Sequence, residues 1–112
     1  MRPPEDEVLL RDMLDHARKA VAATQGRTRG DLSNDGVLAA ALECFIEVIG
    51  EAASKTSDAT RRELESVPWR EIIGMRNRLV HSYAAVDPDI VWAVATADLP
   101  ALVADLEATL EK

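Results

Sequence analysis

The sequence predicts an all-α protein, an up-down bundle of four main helices with a short fifth, occupying one domain over residues 1–112. Three observations carry this. Apolar residues recur at helical spacing through most of the chain, as in Leu9, Leu10, Met13, Leu14, Ala17, Ala20 and Val21. The hydrophobic fraction of 47% is drawn largely from Ala, Leu and Val, and aromatics are 4%. Such small aliphatic side chains suit closely packed helices better than a β-sandwich, which favours Thr, Tyr and Phe. Finally, 112 residues suffice for one hydrophobic core and not for two.

The elements follow in order. Pro3 and Pro4 hold off helix until about Glu5 to Glu7, where acidic residues favour a helix start through the dipole. The first helix then runs from Val8 to about Ala23, and His16 on it reads as a solvated or capping histidine. The stretch Gly26–Gly30 breaks the pattern as a loop. Asp31, Ser33 and Asn34 are candidate N-caps for a second helix from about Asp35 to Ala53. On it Glu43, Glu47 and Glu51 make one acidic row, whose plain reading is a solvated face. A sharper reading has one of them, Glu47 as the choice, meeting an arginine across the bundle or across a dimer interface.

Ser57 or Asp58 caps a short helix ending near Leu64, and Pro68 forces an extended residue before it. Trp69 anchors the next helix, which is expected to run to about His81. Asp87 is an N-cap with Pro88 as first helical residue, where the missing N–H of proline costs nothing. From Ile90 an apolar stripe continues to Leu110. Pro100 should kink or restart that helix, with Asp98 as a local cap.

The net charge of −7 argues against a broad electrostatic grip on nucleic acid. The charge is uneven, however: between Arg61 and His81 five arginines (61, 62, 70, 76, 78) face three glutamates (63, 65, 71). A locally positive segment in an acidic chain fits a small anionic site better than a long track. Cys44 is the sole cysteine, which excludes an intrachain disulfide and leaves too few thiolates for zinc or iron–sulfur ligation. No metal or other cofactor is called for. The N-terminus lacks the apolar run of a signal peptide and no stretch reaches membrane-spanning length, so a cytoplasmic location is expected.

Polar groups capable of chemistry concentrate in Trp69–Tyr83: Arg76, Asn77, Arg78, His81 and Tyr83 interrupt an apolar pattern of Ile72, Ile73, Leu79 and Val80. An always-charged arginine and a histidine titrating near neutrality can together handle a phosphodiester. On a straight helix, at about 100° per residue, Arg76 and His81 would point roughly 140° apart. Either the helix ends near His81, or two copies pool their side chains across a two-fold axis. Taken alone, Arg followed five later by His also suits carbonyl capping and the helix dipole.

The string Arg76-Asn77-x-x-x-His81-x-Tyr83 resembles the Arg-x-x-x-x-His-x-Tyr motif of the HEPN superfamily, and more closely that of its HepT-type toxins. The likeness extends to Phe45–Ala53, to Pro68–His81, and to Asp87–Trp92 with Asp98–Pro100, so that it covers most of residues 35 to 106. The resemblance implies a helical bundle that forms a homodimer with both motifs at a shared cleft. It implies metal-independent RNA cleavage by attack of the ribose 2′-hydroxyl, within a type II-like toxin–antitoxin system whose antitoxin is a minimal nucleotidyltransferase. In that scheme His81 is the general base or acid, Arg76 stabilises phosphoryl charge, and Asn77 orients His81 or the phosphate. Tyr83 is the residue that the antitoxin modifies with AMP, adding phosphate charge beside Arg76. Arg78 either helps bind RNA or is a solvated helix residue.

Two further readings compete. A non-catalytic nucleotide-binding partner of a nucleotidyltransferase fits the acidic charge, whereas the histidine favours the ribonuclease, because plain anion binding is served as well by Lys or Arg. A bare dimerisation bundle leaves the polar motif unexplained.

Overall fold

Local capping chemistry sets most of the element boundaries. The computed structural model describes residues 2–82 and 85–111, with the backbone alone at 80–82 and 85. The chain runs α1 (Pro4–Thr24), α2 (Asp31–Asn34), α3 (Gly36–Lys55), α4 (Asp58–Glu63) and α5 (Trp69–Leu79). A small antiparallel pair follows, β1 (Val80–Ser82) and β2 (Ala85–Val86), then α6 (Pro88–Ala93), a π-helical turn at Val94–Asp98, and α7 (Leu99–Leu110). This is the expected all-α bundle, with the α6–α7 rod as its fourth main helix and α4 as the short fifth.

Two of the expected caps form where their chemistry is local: Ser57 accepts from Thr60, and Asp87 accepts from Asp89 ahead of Pro88. The cap of α3 is none of Asp31, Ser33 and Asn34 but the next residue, Asp35, which accepts from the amides of Val37 and Leu38, because Asp31–Asn34 are themselves helical. Arg27 donates to both Asp31 and Asp35, tying the α1–α3 loop together. The Arg27 guanidinium, ahead of the Leu38 amide, holds the Asp35 carboxyl below its ordinary range.

Four boundaries differ from expectation. Helix α1 starts at Pro4, because proline is tolerated in the first turn, where its N–H would have no partner anyway. The four residues Asp31–Asn34 form a helical turn of their own. The motif helix stops at Leu79, two residues before His81. Its final carbonyl accepts the Asp87 amide at 2.7 Å, and Val80 pairs with Val86, so the chain leaves the helix into a hairpin. Asp98 makes no side-chain cap. Instead the chain accommodates Pro100 by widening the preceding turn: the Leu99 amide reaches back to the Val94 carbonyl, and the Thr96 hydroxyl donates to the Trp92 carbonyl at 2.7 Å. A proline lacks the donor for the carbonyl four residues back and crowds it, which a π-turn relieves.

Helix α1 packs chiefly on α3 and α7, and α3 packs on α5. The stripe predicted for α1 is buried at Leu10, Met13, Leu14, Ala17 and Ala20. It meets Leu42, Ile46 and Ile49 of α3, and Leu99, Leu102 and Leu106 of α7, within one contiguous core. His16 is half-buried rather than solvated, with Nδ1 2.8 Å from the Asp12 carbonyl and its ring 6.1 Å from that of Phe45. Cys44 is exposed on α3. No helix among the described residues is long and apolar enough to cross a membrane.

One polar cluster lies inside this packing. Asp6 of α1 is 3% exposed and accepts from the Ser57 amide (3.1 Å), the Ser57 hydroxyl (2.5 Å) and the Thr60 hydroxyl (2.5 Å). Donation by Ser57 and then by Thr60 outweighs burial and holds the Asp6 carboxyl below its ordinary range. The first turn of α1 is thereby fastened to the start of α4.

Candidate functional site

Helix α5 carries the motif because its buried stripe leaves the motif outside. Trp69, Ile72, Met75 and Leu79 are buried at helical spacing, so residues 76–78 of the last turn face solvent. Trp69 anchors the other end as expected, its indole N–H donating to the Leu64 carbonyl at 3.1 Å. The C-terminal position of Arg76 and Arg78 also favours their charge through the helix dipole.

The two arginines point to different neighbours. Arg76 Nη1 donates to Glu51 Oε2 of α3 at 3.2 Å, with both side chains about half exposed, 48% and 46%. The opposite oxygen of Glu51 lies 3.5 Å from Lys55 Nζ. A cleft of about 350 Å³ opens beside this group, lined by Leu9, Asp12, Glu47, Glu51, Lys55 and Arg76. A glutamate of the acidic row therefore does meet a motif arginine, but it is Glu51 and not Glu47, which lines the same cleft one turn away. The helix crossing decides this. At Gly50 the carbonyls of Ile72 and Ile73 come within 3.6 and 3.7 Å of where a Cβ would stand, so the next residue, 51, flanks α5. A glycine within an apolar helix was the signal available in the sequence.

Arg78 turns away from that cleft. Its Nη2 donates to Asp98 of the π-turn at 2.5 Å, on the rim of a second, mostly apolar cleft of about 490 Å³ lined by Ile90, Ala93, Val94 and Ala97. Asn77 is exposed between the two arginines. Arg61 is spent on structure, donating to the Ala53, Ser54 and Thr56 carbonyls at the end of α3. Among the described residues this leaves Arg62 and Arg70 as the cations of the segment with no partner. Of the positive stretch read from sequence, the two motif arginines, Arg76 and Arg78, are the ones offset by carboxylates from elsewhere in the chain.

His81 lies in β1, two residues past the helix end, and its side chain is outside the described residues, as is the whole of Tyr83. The straight-helix geometry that would hold Arg76 and His81 on opposite sides does not apply to this chain. Among the described residues no group of three or more His, Cys, Asp or Glu side chains is placed to hold a metal ion.

The model of the family described as Ribonuclease HepT-like matches residues 13–109. The chain belongs to the HepT-like ribonuclease family of the HEPN superfamily. It is 31% identical over 103 residues to a "Putative RNase" of Caldanaerobacter subterraneus subsp. tengcongensis, covering 92% of each chain. It is 28% identical over 101 residues to a "Putative RNase" of Methanocaldococcus jannaschii, covering 90% of this chain and 93% of the relative. A "Probable ribonuclease HepT" of Thermococcus cleftensis shares 37% identity over 57 residues, about half of each chain. No solved structure matches the chain. The HepT-like match spans α5 and the hairpin, and so includes the whole motif.

Proposed function

We propose that this HepT-like protein is a metal-independent endoribonuclease, with Arg76, Asn77 and His81 as its working residues. The observation that carries the reading is the end of α5 at Leu79. Arg76 occupies the last helical turn and His81 the strand just beyond it, so the straight-helix spacing that would point the two side chains roughly 140° apart does not bind them. Arg76 binds the non-bridging oxygens and stabilises the charge that builds on them as the ribose 2′-hydroxyl attacks phosphorus. His81 takes the 2′-hydroxyl proton or delivers one to the leaving 5′-oxygen, the general acid or base role to which an imidazole is suited. The products are a 2′,3′-cyclic phosphate and a free 5′-hydroxyl. The protein acts as a homodimer and as the toxin of a pair whose antitoxin is a minimal nucleotidyltransferase. Transfer of AMP to Tyr83 adds phosphate charge to the motif, which excludes an RNA phosphate by occupancy and by repulsion.

A second reading is favoured by the ion pairs. With Arg76 on Glu51 and Arg78 on Asp98, in a chain of net charge −7, the motif's own arginines are already paired and draw RNA in less strongly. On that reading the protein binds a nucleotide for a nucleotidyltransferase and cuts nothing. Cleavage of a mixed RNA pool in excess chelator separates the two. Fragments made by the wild type and lost in both Arg76→Ala and His81→Ala support the nuclease. Intact RNA with wild-type protein, shown by mass spectrometry to carry free Tyr83, supports the binding partner.

A further inference from the structure

Glu51 is fixed by backbone geometry and not by its own flexibility. Helices α3 and α5 approach closely at Gly50, and Arg76 stands one turn beyond the Ile72 carbonyl that Gly50 faces. The glutamate beside Gly50 is thus held at the flank of α5, at the level of the motif arginine. It uses a single nitrogen of the guanidinium, Nη1, and the Nε and Nη2 edge of Arg76 has no partner among the described residues. That free edge is the one whose parallel N–H bonds match two oxygens of a phosphate. Lys55 lies against the other carboxylate oxygen, so two cations share the one carboxylate, which leaves Arg76 only part of its charge, while Glu47 and Asp12 line the same cleft. An ion pair this exposed adds little to fold stability. What it supplies is orientation, holding a long side chain in the geometry that meets the charge developing on the phosphoryl oxygens.

We infer that Glu51 is a positioning residue for Arg76, holding one edge of the guanidinium so that the other meets the phosphate of the bound RNA. The inference rests on the ribonuclease reading above. Glu51 itself touches no reacting atom.

The test is steady-state cleavage of a short single-stranded RNA in excess chelator by wild type, Glu51→Ala, Glu51→Gln and Arg76→Ala, with thermal melting of each. Loss of positioning lowers kcat by about 10–100-fold in Glu51→Ala and leaves KM within about threefold. Glu51→Gln regains most of that rate, because its amide oxygen still accepts from Nη1. All three variants melt with the wild type. Three results overturn the inference alone: Glu51→Ala cutting at the wild-type rate, Glu51→Ala cutting faster (a carboxylate that merely competes with phosphate), or Glu51→Gln remaining as slow as Glu51→Ala. A wild type that cuts no RNA, or an Arg76→Ala variant as active as wild type, overturns the ribonuclease reading and this inference with it.

Discussion

Asp6 and Glu51 are both carboxylates that receive donors from a distant part of the chain, and they serve opposite ends. Asp6 is buried, and its two oxygens take three hydrogen bonds from Ser57 and Thr60. Glu51 is half exposed, shares itself between Arg76 and Lys55, and leaves most of the guanidinium open. A saturated, dry cluster holds two helices together and offers nothing to a ligand. An unsaturated, wet pair contributes little to folding and keeps donors available for chemistry. Magnitudes follow the same division: hydrogen bonds to a buried charge are worth about 1.5–3 kcal/mol each, whereas an exposed ion pair is worth about 0–1 kcal/mol.

The contrast breaks or sharpens under mutation. The largest effect belongs to Arg76→Ala, expected to cost about 100–1000-fold in RNA cleavage, the loss that follows removal of one donor to developing charge. Its melting temperature should match the wild type; a fall of several degrees would place Arg76 with Asp6 among the structural groups. Asp6→Ala should do the reverse. Three donors lose their acceptor inside the bundle, for a loss of about 2–4 kcal/mol in a denaturant titration, with cleavage per folded molecule unchanged.

The depressed pKa of Asp6 gives this a pH signature. A carboxyl whose folded pKa lies below its unfolded value of about 3.9 contributes fully above that value. Its contribution then fades as pH falls through the folded pKa. The stability gap between wild type and Asp6→Asn should therefore be constant near neutrality and close below about pH 4. A gap that stays the same at pH 3 would mean that the charge of Asp6 is not what the hydroxyls hold. Gly74 tests a smaller term. Nothing lies within 4 Å of where its Cβ would stand in the middle of α5, so Gly74→Ala should stabilise the chain by about 0.5–1 kcal/mol through helix propensity. Smallest is Arg78→Ala, which removes an exposed pair with Asp98 and should change stability by less than about 1 kcal/mol.

What the sequence disclosed and what it withheld divide along contact range. Ser57 and the Asp87-Pro88 start were legible because a cap bonds to amides two or three residues on, whereas Asp35 was passed over for Asp31, Ser33 and Asn34, which form a helical turn of their own. Helical stripes were legible for the same reason, since their period is local. Asp6 was not, because its partners lie 51 and 54 residues away and an acidic first turn already had an ordinary explanation. The choice of Glu47 over Glu51 missed by one turn, because the level at which two helices cross is a tertiary quantity. The π-turn was half visible: Pro100 announced a disturbance, but whether the chain kinks, restarts or widens depends on packing around Val94 and Leu99. The motif itself stood out by composition, while its surroundings changed its meaning, since carboxylates brought in by α3 and the π-turn offset arginines that looked free in one dimension.

Cys44, exposed on α3 and the only thiol of the chain, gives the molecule a natural address. A single spin label attached there needs no engineered cysteine and leaves the motif untouched. In a two-fold assembly it yields one dipolar distance, sharply distributed, that vanishes on dilution below the dissociation constant; in a monomer it yields none.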